Sequence, residues 1–299
     1  MTLHYLIRAI ISAGFSIYIL YLVKNGLLQY YIAPRMELYV RIAAVGLIMI
    51  AVYQAFAAFA AVRGEAIDCD CDHTPSPSIL RNITAYGLLI APLLFGYFLP
   101  DTALGSALAE KKGIVLSVGD SVSSQSKQAA KPPAAAEQTL DPKLATDEKL
   151  KEMFLTGDAY TDQYANFAVS LYKQDTIVIE ESSFLEASTA IDLFMDRFAG
   201  KKIQIEGFVY REDTMANDQF VVARMAMECC SADSTPYGFL VLSKSAAVYP
   251  EDSWVRVTGT INSTDWDGIQ IVSIETGDIE KIPAPDTPYV YPNYDILDQ

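Results

Sequence analysis

The most chemically loaded run in the 299-residue sequence is "MAMECCSADSTPYG", where two adjacent thiols, Cys229 and Cys230, are followed three residues on by Asp233. The chain holds only four cysteines, so a vicinal pair is notable. Four readings are open for it. The thiols could pack as small apolar side chains where a strand enters a turn. With Asp233 they could ligate a soft ion, although a closed zinc site wants two more ligands than the pair supplies. They could act as a redox pair, although they lack the C-x-x-C spacing of oxidoreductases. They could also form disulfides with Cys69, Cys71 or a partner, an option that gains weight outside the cell. Arg224, five residues upstream of Cys229, could stabilise a thiolate if the side chains meet.

A second cluster lies in "RGEAIDCDCDHTPSPS". In an extended segment, alternation places Cys69, Cys71 and His73 on one face and Asp68, Asp70 and Asp72 on the other. Two thiolates and an imidazole suit zinc or another soft divalent metal, and the carboxylates add a negative field. Three ligands make a transferring site more natural than a closed structural one. Cys69, Cys71 and His73, with Asp70 and Asp72 beside them, are thus candidate metal ligands; the alternatives are a polar loop that only separates two spans and a small, strained Cys69–Cys71 disulfide ring. Arg224, Cys229, Cys230 and Asp233 form a motif of unknown role.

Enzyme signatures are missing. There is no G-x-S-x-G, no phosphate-binding glycine loop and no H-E-x-x-H. Histidine occurs only at positions 4 and 73, which excludes histidine-based catalysis in the later part of the chain. Glu180–Glu181 and Glu212–Asp213 read as solvated surface pairs. The expectation is a protein without catalytic activity.

The elements that carry these residues divide the chain. Residues 1–100 hold six Lys/Arg against five Asp/Glu, so the whole-chain charge of −15 leaves −16 for residues 101–299. An acidic surface of that kind argues against nucleic acid, whose phosphates need basic partners. The first 100 residues contain three apolar runs, about 6–23, 38–62 and 79–99. Each is long enough to span a bilayer as a helix. Tyrosines gather near their ends, and Pro92 is positioned to kink the third. Alanine pairs Ala51/Ala55 and Ala57/Ala61 offer close helix contact. Arg8, Glu37, Arg41 and Arg81 lie near span ends, so the spans carry no charged pathway of their own. An odd number of spans puts the termini on opposite sides. The Lys/Arg bias leans toward an inside N-terminus and an extracytoplasmic C-terminal domain.

Residues 101–140 read as a membrane-proximal segment followed by a low-complexity linker, "SVSSQSKQAAKPPAAAEQ". Residues 141–299 read as an acidic soluble domain, helices first and strands after. "DPKLATDEKLKEMFL", capped by Asp141 with Pro142 next, and "TDQYANFAVSLYKQ" are expected helices. A strand, "TIVIE", follows. "SSFLEASTAIDLFMDRFAGK" has the stripe Phe184, Ala187, Ile191, Phe194, Met195 and Phe198 of a single helix ending at Gly200. Five strands come next, with Gly207, Gly238 and Gly259 at bends. The expected fold class is a membrane α part plus a soluble α+β part: three transmembrane helices and a tethered β-rich domain, an OB-like small barrel or else a small sandwich.

This order of parts resembles the YcgQ-like family of permease subunits, uncharacterised multi-pass membrane proteins that accompany a larger multi-span permease. The resemblance covers nearly the whole chain. It rests on the three-span head, the Cys/His/Asp loop, "TALGSALAEKKGI" after the third span, and "GFVYRED…FVVARMAMECCSADSTPYGFLV", with Arg224, Cys229, Cys230, Ala232 and Asp233 at the family's positions. The loop is richer in cysteine and aspartate than is usual for the family, whose members are often His-rich there. The resemblance implies a cell-membrane complex with a larger multi-span permease subunit and names no substrate. The expected function is an accessory subunit of a two-component membrane permease complex. The alternatives are a membrane-tethered metal sensor or chaperone, and a membrane-anchored thiol redox protein.

Overall fold

The structure is a computed structural model and describes residues 2–63, 78–99, 105–117 and 146–297. It divides into two compact units, Met1–Thr102 and Ala103–Gln299.

The first unit is helical. Helices α1 (Thr2–Lys24), α2 (Glu37–Val62) and α3 (Ile79–Phe98) are each long and apolar enough to cross a membrane. Large apolar side chains such as Ile17, Ile42, Phe56 and Leu88 point outward. Water would penalise such a surface, whereas lipid would not. Helix α1 packs against both of the others. Its Ser16 hydroxyl donates to the Ala44 carbonyl of α2 at 2.7 Å, and its Tyr18 hydroxyl donates to the Gly96 carbonyl of α3 at 3.0 Å. The alanine face of α2 differs from the sequence expectation. Ala44, Ala51 and Ala58 are buried at intervals of seven, while Ala55 is exposed. A seven-residue repeat keeps one stripe against a neighbour crossing at a shallow angle.

The second unit begins with α4 (Ser106–Lys112), followed by α5 (Asp147–Phe154), α6 (Ala159–Asp162) and α7 (Ala165–Tyr172). The expected cap at Asp141 and Pro142 lies outside the described residues; the visible helix starts after Thr146. The expected single helix within 182–201 is two pieces, α8 (Phe184–Leu193) and α9 (Met195–Phe198). Phe194 leaves helical geometry at φ −116°, ψ 32° between them. The break lets its ring stack edge-on against Phe154, with centroids 5.0 Å apart. Phe198 reaches the same cluster at 5.7 Å. Core packing at these aromatic residues outweighs helix continuity.

Among the described residues, seven strands form one sheet: β1 (Thr176–Val178), β2 (Lys202–Tyr210), β3 (Gln219–Ala226), β4 (Thr235–Leu242), β5 (Trp254–Trp266), β6 (Ile269–Lys281) and β7 (Tyr289–Val290). Their order is β1-β2-β5-β6-β4-β3-β7, and β2 also pairs with β3. The pairings therefore run β2-β5-β6-β4-β3 and return to β2 through Phe208↔Ala223 and Tyr210↔Val221. All contacts in this cycle are antiparallel except β4 with β6. Asp267 and Gly268, both at positive φ, make the two-residue turn of the β5–β6 hairpin. Gly207 and Gly238 allow β2 and β4 to approach β3 closely: a Cβ would sit 2.5 Å from the Ala223 carbonyl oxygen at Gly207 and 2.4 Å from that of Val222 at Gly238.

Helix α4 belongs to this unit. Ser106 donates to Asp252 through both its N–H and its hydroxyl, at 2.8 and 2.7 Å. Val115 then bridges Tyr237 of β4 in parallel.

Candidate functional site

Strands β3 and β4 pair as far as Ala226↔Thr235. The eight intervening residues carry the thiols. Met227 is still held by the Val290 carbonyl of β7 at 3.0 Å. The chain then turns through a 3-10 turn over Ser231–Asp233, with Cys230 in an extended conformation as its cap.

Asp233 organises this turn. Its carboxylate accepts the backbone N–H groups of Glu228 at 2.9 Å, Cys229 at 2.7 Å and Cys230 at 3.1 Å. The Cys230 sulfur accepts the Asp233 N–H in return, a reciprocal capping box. On the other side of the loop, Lys112 of α4 donates to the carbonyls of Ala232 at 2.9 Å and Ser234 at 2.7 Å. Sequence reasoning missed Lys112; only "AEKK" at the end of a short helix could have pointed to it.

The two sulfurs end 3.6 Å apart. Cys229 is exposed and Cys230 half-buried, so core packing does not account for the pair. Asp233 and then Cys230 beside it push the Cys229 thiol up to about 12. Burial acts against the Asp233 charge, but hydrogen bonds from the Cys229 side chain and the three N–H groups hold its carboxyl below the ordinary range. Cys229 therefore keeps its proton at neutral pH, unlike an activated nucleophile with a depressed pKa. Among the described residues, Cys229, Cys230 and Asp233 form a three-ligand cluster, with one ligand atom from each lying within 4.8 Å of the others.

Arg224 is spent elsewhere. It is buried on β3, where its guanidinium donates to Glu181 and to the Thr287 carbonyl, both at 3.1 Å. The same group lies 5.0 Å from the Trp254 ring centroid. Burial lowers its pKa, while Glu181 opposes that shift. Glu181, read from sequence as a solvated surface residue, is thus a partner of a buried cation and also accepts from the Thr287 hydroxyl. Arg224 ties β3 to the β7 approach and supplies no charge to the thiols through any of these bonds. Cys69, Asp70, Cys71, Asp72 and His73 lie outside the described residues.

Among the described residues, this unit's surface includes two depressions. One, about 500 Å³, is lined by Glu180, Glu181, Ser182, Tyr291, Pro292 and Asn293. The other, about 400 Å³, gathers Glu110, Glu212, Asp213 and Glu251 around Tyr210 and Arg211.

Residues 7–115 match the DUF1980 N-terminal domain, and residues 154–292 match the DUF1980 C-terminal domain. The chain is 26% identical to "UPF0703 protein YcgQ" of Bacillus subtilis (strain 168), over 69% of this chain and 67% of that one. It is 25% identical to a protein of Streptococcus mutans serotype c (strain ATCC 700610 / UA159), over 68% of this chain and 72% of that one. The latter is named "Putative two-component membrane permease complex subunit". No solved structure matches the chain.

Proposed function

The chain belongs to the DUF1980 family, the YcgQ-like group, with both of the family's domains in order, and on that premise we propose that it is the accessory subunit of a two-component membrane permease complex. The observation that carries this reading is the name of the Streptococcus mutans relative, a permease complex subunit. The three apolar helices support it, because charged residues on them are few and sit near the ends. A transport pathway usually displays buried ionisable groups, so the pathway falls to the partner. That partner is a larger, multi-span permease, and α1–α3 seat against it. The outward apolar side chains of α2 and α3 offer helix-packing surface for the purpose. The names of the relatives carry no catalytic term, which fits a non-catalytic role.

We read the cycle of five strands as an OB-like barrel with β1 and β7 as additions. Its pairing order and its single parallel contact, β4 with β6, support that reading. The domain's charge favours a basic or cationic neighbour over nucleic acid. We place it on the extracytoplasmic face of the cell membrane, following the Lys/Arg bias of the span ends.

Affinity capture of the tagged full-length chain from native membranes in mild detergent tests the function. The expected result is co-purification of one larger multi-span membrane protein in equimolar amount. A chain that is recovered alone at native expression overturns the proposal.

A further inference from the structure

The loop between β3 and β4 is fixed more firmly than a turn requires. Five hydrogen bonds from Asp233 and Lys112 hold its backbone, three on N–H groups and two on carbonyls. The fold does not need cysteine at either thiol position. Cys229 is exposed, and the capping role of Cys230 is one that serine, threonine or aspartate fills better. The loop thus presents two sulfurs side by side from a rigid backbone, with no structural task that demands sulfur.

We infer that the Cys229 and Cys230 sulfurs and the Asp233 carboxylate hold one thiophilic divalent cation of the zinc class, with a fourth coordination position open to solvent or to a ligand. The sulfur separation of 3.6 Å is already that of a chelate. With metal–sulfur bonds of about 2.3 Å it gives an S–metal–S angle of about 103°, close to tetrahedral. The three ligand atoms lie within 4.8 Å of one another. Bringing them to the roughly 3.5 Å sulfur–oxygen spacing of a tetrahedral site is within the reach of side-chain rotation. Asp233 gains capacity for the ion when the thiol ionises. Its carboxylate accepts three backbone N–H groups, two on Oδ2 and one on Oδ1, and the Cys229 side chain as a fourth donor. Loss of the Cys229 proton on binding frees that fourth position for the metal.

Binding replaces the two S–H bonds with two sulfur–metal bonds. Both protons go to solvent, and no oxidation state changes. The loaded site carries two thiolates, one carboxylate and one divalent ion, a net charge of −1. Three protein ligands and an exposed position describe an exchangeable site, one that can pass its ion on or close over it with a ligand from another chain. This inference does not depend on the permease reading, which stands or falls with partner capture.

The test uses the full-length chain in detergent, reduced, with Cys69→Ser and Cys71→Ser to silence the other two thiols. Cadmium is titrated and followed by its ultraviolet thiolate charge-transfer band, and zinc by competition with a chromophoric chelator. The expected result is one ion per chain and the release of about two protons per ion. Cys229→Ser and Cys230→Ser should each weaken zinc at least about tenfold and abolish most of the cadmium band. Serine at 230 keeps the cap, so loss of binding there is not loss of fold, and an unchanged melting temperature verifies this. Unchanged affinity in Cys229→Ser or Cys230→Ser overturns the inference. So does a chain that loses all binding with the Cys69/Cys71 substitutions alone, which would put the metal on the other loop.

Discussion

Replacing Asp233 with Asn isolates the effect of one charge on the Cys229 thiol. Asparagine keeps one oxygen, which can accept the Cys229 and Cys230 N–H groups while the Glu228 bond is given up, so most of the turn's bonding stays while the charge goes. Asp233 is the foremost cause of the shift that takes the thiol from the ordinary 9.0 to about 12. At pH 8 a thiol of that kind is a thiolate about one part in ten thousand, against about one in ten at the ordinary value. Full removal of the shift is therefore worth about three decades of thiolate. Nucleophilicity falls with pKa, with a Brønsted slope near 0.4–0.5, and takes back roughly 1.3 decades. Cys230 supplies part of the shift and is already Ser in the assay, so about fiftyfold is a ceiling and the alkylation rate of Cys229 should rise on the order of tenfold. The assay is iodoacetamide labelling of full-length protein with Cys69, Cys71 and Cys230 changed to Ser, in the presence of a chelator and across a pH series. Equal alkylation rates and equal pH midpoints with and without the Asp233→Asn substitution would refute the assignment of the proton to the Cys229–Asp233 pair.

Three further outcomes follow from the packing. Gly238→Ala places a Cβ 2.4 Å from the Val222 carbonyl oxygen and should cost about 3 kcal/mol, read as a lowered urea midpoint, while Gly277→Ala in β6, with nothing within 4 Å, should not lower it. Arg224→Met should cost about 2 kcal/mol, because it removes the bonds to Glu181 and Thr287 but leaves Glu181 partly exposed to water; a neutral result in thermal melting would show the ion pair to be dispensable. Burial raises the Glu186 carboxyl above 4.5, so its contribution is complete below that value and is lost as pH rises through the folded value. Glu186→Gln should accordingly match the native melting temperature near about pH 4 and exceed it near about pH 8; a gap that is constant with pH would refute the burial effect.

Local pattern made much of the fold legible. Alternation located β2, short runs between turn-forming residues located β3 to β6, and the apolar runs located α1, α2 and α3 to within a few residues. What the pattern could not carry was set by distant partners. The stripe over 184–198 has helical period, yet Phe194 breaks it to meet Phe154, forty residues earlier in the chain. Strand β7 is two residues among Pro283, Pro285, Pro288 and Pro292, a setting that reads as loop, and it exists because β3 offers it a parallel edge. At the candidate site, the composition of "ECCSAD" was visible, but its preorganisation was not. Lys112 sits more than a hundred residues away, and the three N–H bonds to Asp233 depend on the detailed path of the turn. Arg224 looked available to the thiols in sequence, while its actual partners, Glu181 and Thr287, flank it at separations of 43 and 63 residues.

The connectivity of the sheet also sets an order of assembly. The β3–β4 pair is a hairpin whose contacts span a few tens of residues at most, and the β5–β6 hairpin turns on two residues. Pairing of β2 with β5 instead joins Lys202 to Thr260, and the parallel contact of β4 with β6 must enclose all of β5. Loop-closure entropy makes the short-range pairs early and the long-range ones late. For a chain emerging from the ribosome, the hairpin bearing both thiols can form while the strands that complete the cycle are still unmade. Those thiols are then exposed, on whichever face of the membrane the domain folds, to oxidants and metal ions before the domain around them is finished.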